Sequence, residues 1–78
     1  MQGAIIDSMN VTKLFGLNVR RLRRAAGISQ EELARRAGLH RTYIGAVEWA
    51  ERNITLISAE KIARALGVAL KDCLDDQK

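Results

Sequence analysis

The tightest constraint on this chain lies between Ile28 and Gly38, where helix signals at both ends leave room for only two turns. Ser29-Gln30-Glu31-Glu32 has the form of a capping box. The Ser29 hydroxyl can accept from the backbone N–H of Glu32, and the Glu32 carboxylate can reach back to Ser29. The helix therefore starts at Gln30. Leu33, Ala34 and Ala37 supply an apolar face, and Gly38 ends the helix because a residue without Cβ turns left-handed at little cost. A new helix opens almost at once, at Leu39 or His40, with Ile44 and Val47 facing inward.

The same periodicity organises the rest. Phe15, Val19 and Leu22 recur at i, i+4 and i+7, which predicts a first helix over Val11 to Ala26 ended by Gly27, with Gly16 its weak point. The third helix runs to about Trp49, and Ala50 to Asn53 form a loop. Thr55 then caps a fourth helix, in which Leu56, Ala59, Ile62, Ala63 and Leu66 keep helical spacing up to Gly67. A last short helix spans Leu70 to Leu74. Ala69, where a capping Ser or Thr is usual, weakens it by on the order of 1 kcal/mol. The expected fold is all-α: one compact five-helix domain over residues 11–75, preceded by an arm (1–10) and followed by a short tail (76–78).

Composition agrees and excludes several functions. Proline is absent and aromatic residues are 4% of the 78 residues, which suits a small helical core of Leu, Ile, Val and Ala. At this length one core is marginal, so self-association is an expected source of stability. The lone Cys73 cannot form an internal disulfide and is read as a packed small hydrophobe. The lone His40 is read as a helix-start residue, because it has no second ligand for a metal. No metal, cofactor or catalytic constellation is expected. The start of the chain has neither a basic n-region nor a long apolar run, so a cytoplasmic protein without a membrane span is expected. Net charge is +4, and its distribution says more than its total. From Val11 to Arg64 eleven Lys or Arg face five Asp or Glu, whereas the remainder is slightly acidic. Such a basic surface calls for a polyanion.

Small Ala34, Gly38 in the turn, and inward Ile44 and Val47 together satisfy what a helix-turn-helix requires. Ile28-Ser29-Gln30-Glu31-Glu32-Leu33-Ala34, followed by Gly38-Leu39 and Ala65-Leu66-Gly67-Val68, resembles the Xre/Cro/phage-repressor class of DNA-binding domains over roughly Phe15 to Leu74. Within that class, Leu39-His40-Arg41-Thr42-Tyr43-Ile44, Val47-Glu48 and Glu51-Arg52-Asn53-Ile54-Thr55-Leu56 look like the controller proteins of restriction–modification systems. Trp49-Ala50 departs from the family pattern, where polar residues or glycine are usual.

The resemblance implies a homodimer formed through the C-terminal helix and helix 3 in the major groove at each half of a near-palindromic double-stranded operator. A tetramer on DNA and RNA polymerase are further expected partners. Arg41 and Thr42 open helix 3 and are the expected base readers, since Arg can donate bidentately to guanine and the Thr methyl can meet a thymine methyl. Gln30 matches a family position that meets a phosphate. Tyr43, Arg52 and Asn53 flank the reading helix and fit the same role. Arg20, Arg21, Arg23 and Arg24 span too much of a helix to face one ligand, and only Arg23 is retained as a phosphate contact. Ile62, Leu66, Val68, Leu70 and Leu74 are expected to divide between core and dimer interface. Competing readings are an antitoxin or phage-type repressor of the same fold, and a protein-interaction module with no DNA role.

Overall fold

The computed structural model describes residues 8–75; the expected tail and the first seven residues of the expected arm lie outside them. Within this span there are four α-helices and no strand: α1 (Ser8–Ala25), α2 (Gln30–Ala37), α3 (Arg41–Glu48) and α4 (Leu56–Leu66). A five-residue 3₁₀ turn, Leu70–Leu74, stands where a fifth helix was expected. Ala69 offers no side-chain acceptor at its start. The Asp72 carboxylate instead accepts from the Ala69 N–H at 3.1 Å, while the Asp72 N–H bonds the Ala69 carbonyl at 2.9 Å, the i→i+3 pattern of a 3₁₀ turn.

The caps explain most of the boundaries. The Ser29 hydroxyl accepts from the Glu32 N–H at 2.9 Å, and Thr55 does the same for Ser58 at 3.0 Å. Only half of the expected box at Ser29 forms, because the Glu32 carboxylate turns to Arg35 and Arg36. Their hydrogen bonds, Arg35 first, hold its pKa down at about 2. Gly38 is left-handed at φ 70°, as the two-helix turn requires. α1 begins at Ser8, about one turn ahead of the expected Val11.

Phe15, Val19, Leu33, Ile44, Val47 and Ile62 form the centre of one apolar core to which every element contributes, the 3₁₀ turn through Cys73. α2 packs on both α3 and α4, and α1 packs on α3 and on the 3₁₀ turn. The first of these α1 contacts depends on Gly16. A Cβ there would stand 2.3 Å from the Val47 carbonyl oxygen and 2.9 Å from that of Glu48. What reads as a propensity defect in α1 is the point where the end of α3 meets its backbone.

Asn18 secures the other contact. Fully buried, its Nδ2 donates to the Cys73 and Asp75 carbonyls, each at 2.9 Å. Two carbonyls of the C-terminal segment thus gain a partner, that of Cys73 away from water. Leu56, expected inward by spacing, is 78% exposed. It is the first residue of α4, ahead of the stretch in which Ala59, Ile62 and Ala63 turn into the core.

Candidate nucleic-acid interface

α3 is a two-faced helix. Ile44 and Val47 are buried against the core, with Glu48 beside them, while Arg41, Thr42 and Trp49 are exposed and Gly45 is half-exposed. The exposed set forms one stripe, because residues 42, 45 and 49 recur at helical spacing. Arg41 and Thr42 occupy the first turn. His40 caps the helix through backbone geometry only, at φ −77° and ψ 144°, without a side-chain hydrogen bond. The two expected base readers therefore project from the start of a helix whose orientation is set by its opposite face.

The residues around that turn fall into two groups. Tyr43 is half-buried, and the Arg52 guanidinium lies 5.7 Å from its ring centroid. Thr42, Tyr43 and Arg52 border one shallow depression together with Leu39 and Ser58. Asn53 is exposed in the same loop. Gln30 opens α2 on the other side. Its Nε2 donates to Glu48 Oε1 at 3.0 Å, and its side chain lies beside Gly45, where an added Cβ would be 3.8 Å from Gln30 Oε1. Of the five expected phosphate contacts, Tyr43 and Arg52 thus lie beside the first turn of α3, Asn53 follows Arg52 in the loop, and Gln30 lies farther along the helix at Gly45 and Glu48.

Arg23 does not join them, and its expected role is corrected. Its Nε and Nη2 pair with the two oxygens of Glu48 at 2.6 and 3.1 Å, and its Nη1 donates to the Ile28 carbonyl at 2.9 Å. The Arg23 side chain is only 11% exposed and that of Glu48 is fully buried. A charge-assisted bidentate pair of this kind needs both partners in place. Arg23 is consequently a strut joining α1, the α1–α2 turn and α3.

The structural roles of two residues, Glu48 and Asn18, escaped sequence reasoning. Glu48 follows Ile44 and Val47 on the inward stripe, and an acid at such a position signals a buried partner. Asn18, three residues after Phe15 and beside Val19, carries the same signal for an amide. Trp49 is 61% exposed, with the Arg20 guanidinium 4.4 Å from its ring centroid. Among the expected interface residues, Ile62 belongs wholly to the core; Leu66, Val68 and Leu70 pack on its margin, and Leu74 is exposed. Leu56 and Ile57, at 78% and 71% exposure, are the most exposed large hydrophobic residues among those described. With Leu70 they line one surface groove, and Leu56, Leu70, Leu74 and Val11 line the next. No helix among the described residues is long and apolar enough to cross a membrane.

A capped two-turn helix, a glycine turn and a second helix with an exposed basic start define the helix-turn-helix class of DNA-binding regulators. The helix-turn-helix family model matches residues 19–72. The control protein C.BamHI of Bacillus amyloliquefaciens is 49% identical over 67 residues, covering 85% of this chain and 83% of that one. C.SmaI of Serratia marcescens is 43% identical over 77 residues, covering 99% and 92%. The crystal structure of the restriction-modification controller protein C.AhdI from Aeromonas hydrophila superimposes with a TM-score of 0.77 at 42% identity, over 80% of this chain and 94% of that chain. The chain belongs to the helix-turn-helix family and, within it, to the control proteins of restriction–modification systems. It is a DNA-binding transcriptional regulator.

Proposed function

We propose that this regulator binds a two-fold symmetric operator as a homodimer, with α3 of each subunit in the major groove, and so controls its own gene and that of an adjacent endonuclease. The division of α3 carries this reading: Ile44 and Val47 are locked into the core while Arg41 and Thr42 stand exposed at its first turn. Side chains at that end of a groove-seated helix meet base edges. Arg41 supplies guanine recognition and Thr42 an apolar or hydroxyl contact. Gln30, Tyr43, Arg52 and Asn53 bind flanking phosphates and set register.

Two-fold pairing is supported by the exposed apolar surface of Leu56, Ile57 and Leu74, continuous with the half-buried Leu70. Sharing that surface between two copies removes it from water. Such a regulator responds to its own concentration, through dimerisation and operator occupancy.

Selection of duplexes from a random pool, followed by binding of wild-type and Arg41→Ala protein, tests the reading. The expected selection product is a near-palindrome. Arg41→Ala should lose about 1–3 kcal/mol of discrimination at one base position in each half-site, with an unchanged circular dichroism spectrum. No enrichment from the pool, or an Arg41→Ala protein with unaltered preference, would exclude it.

A further inference from the structure

At the far end of α3, Trp49 and Arg20 form a contact that core packing does not require. The indole is 61% exposed, and the Arg20 guanidinium stands 4.4 Å from the ring centroid. Among the described residues Arg20 has no carboxylate partner, unlike Arg23, Arg35, Arg36 and Arg64. An aromatic face restrains a guanidinium without neutralising it, and the N–H edge stays available for an anion. Arg24 and Arg21 border the same shallow cleft on α1, so this corner of the molecule is strongly cationic.

Its position supplies the occupant. Trp49 continues the exposed stripe of α3 that begins at Thr42 and passes Gly45. Seven residues of helix separate Thr42 from Trp49, roughly 10 Å of rise at 1.5 Å per residue. The major groove is about 12 Å wide. With Thr42 at the base edges, the Trp49 end of α3 therefore comes to the wall of the groove, where phosphates stand.

We propose that Arg20, held over Trp49, is a second phosphate anchor, which grips the DNA backbone beyond the bases read by Arg41 and Thr42. The inference rests on the DNA-binding reading above and adds a flanking footprint to it. Trp49 positions the cation and adds its own indole N–H as a donor. Such an anchor contributes to every sequence alike, so it raises affinity and leaves discrimination unchanged.

Trp49 is the only tryptophan in the chain, so its fluorescence reports on this corner alone. The probes are a duplex selected by the protein and a scrambled duplex of the same composition. Both should shield Trp49 from acrylamide quenching. Arg20→Gln and Trp49→Leu should each weaken binding to both duplexes by a similar factor, several-fold to about tenfold. They should also lower the slope of log affinity against log salt by about one. Trp49→Phe keeps a ring face and should retain most of the affinity. Lys71→Gln, on the 3₁₀ turn, should change neither quantity. Thermal unfolding checks that each variant is folded, and Arg20→Glu gives a charge reversal at the same half-buried helix position. If the wild type separates the two duplexes in an Arg41-dependent way while the Arg20 and Trp49 variants keep its affinity and salt slope, the anchor is refuted and the reading helix stands. If the wild type binds neither duplex, both fall.

Discussion

Arg23 and Glu48, twenty-five residues apart, meet as a two-pronged ion pair between α1 and α3, with the Glu48 side chain entirely out of water. Removing one member leaves the other charged and buried. Glu48→Ala or Arg23→Ala should each cost about 3–5 kcal/mol, measured by urea unfolding. Arg23→Met combined with Glu48→Leu should cost much less than the sum of the two, since no orphaned charge remains. Strict additivity would show that the pair is not coupled.

Gly16 offers an opposite case, in which a better helix former does harm. Alanine gains about 1 kcal/mol of helix propensity at an interior position. Its Cβ would press on two backbone carbonyls of α3, which cannot rotate away as a side chain could. Overpacking at the upper end of its usual range, about 3 kcal/mol, leaves a net loss near 2 kcal/mol for Gly16→Ala. A midpoint at or above that of the wild type would refute the close approach.

Ala50 is the one non-glycine residue with positive φ among the described residues, at 57°. It follows Trp49, where the family resemblance anticipates polar residues or glycine. A left-handed alanine costs about 1–2 kcal/mol, partly offset by the extra unfolded-state freedom of glycine. Ala50→Gly should accordingly stabilise the fold by up to about 1 kcal/mol in thermal unfolding. Destabilisation would mean that the methyl group has a packing role.

Leu56→Asp together with Ile57→Asp places two charges on the apolar surface assigned to self-association. Both side chains are exposed in the single chain, so its helical content should persist. Sedimentation equilibrium should show the wild type as a dimer and the variant as a monomer, with operator affinity falling accordingly. A wild-type monomer at tens of micromolar would remove the two-fold assignment.

Burial pushes the Cys73 thiol up from its ordinary 9.0 to about 11, with Asp72 adding to the shift. The folded state keeps the proton more tightly than the unfolded chain. This contribution to stability is therefore complete below about pH 9 and is lost as pH rises towards 11. At neutral pH a thiol reagent should modify Cys73 only when denaturant is present. Rapid modification of the native protein would contradict its enclosure.

Local chemistry was readable from the chain where a few adjacent residues decide the outcome. The cap at Ser29, the turn at Gly38, the cap at Thr55 and the stop at Gly67 all lie where the residue types place them. Tertiary partners were not readable in that way. Arg23 was set apart from Arg20, Arg21 and Arg24 only as a phosphate contact, and the arrival of Glu48 from α3, which makes it a strut, left no mark in its local sequence. Leu56 satisfied the apolar spacing of α4, yet the first turn of that helix projects past the core. Leu70 to Leu74 has helix-forming residues but too few of them, and the cap comes from Asp72 rather than from Ala69.

The pairing of Gln30 with Glu48 also bears on how such a regulator can diverge. The amide proposed to meet a phosphate is held by the same carboxylate that fastens α1 to α3, so on that proposal a mutation loosening the grip on DNA there also loosens the molecule. Arg41 and Thr42 carry no such obligation. As the proposed base readers, those two exposed side chains can be exchanged between lineages, and the operator preference with them, while foldability stays untouched. Neighbouring restriction–modification systems could thereby acquire mutually deaf switches from one inherited scaffold.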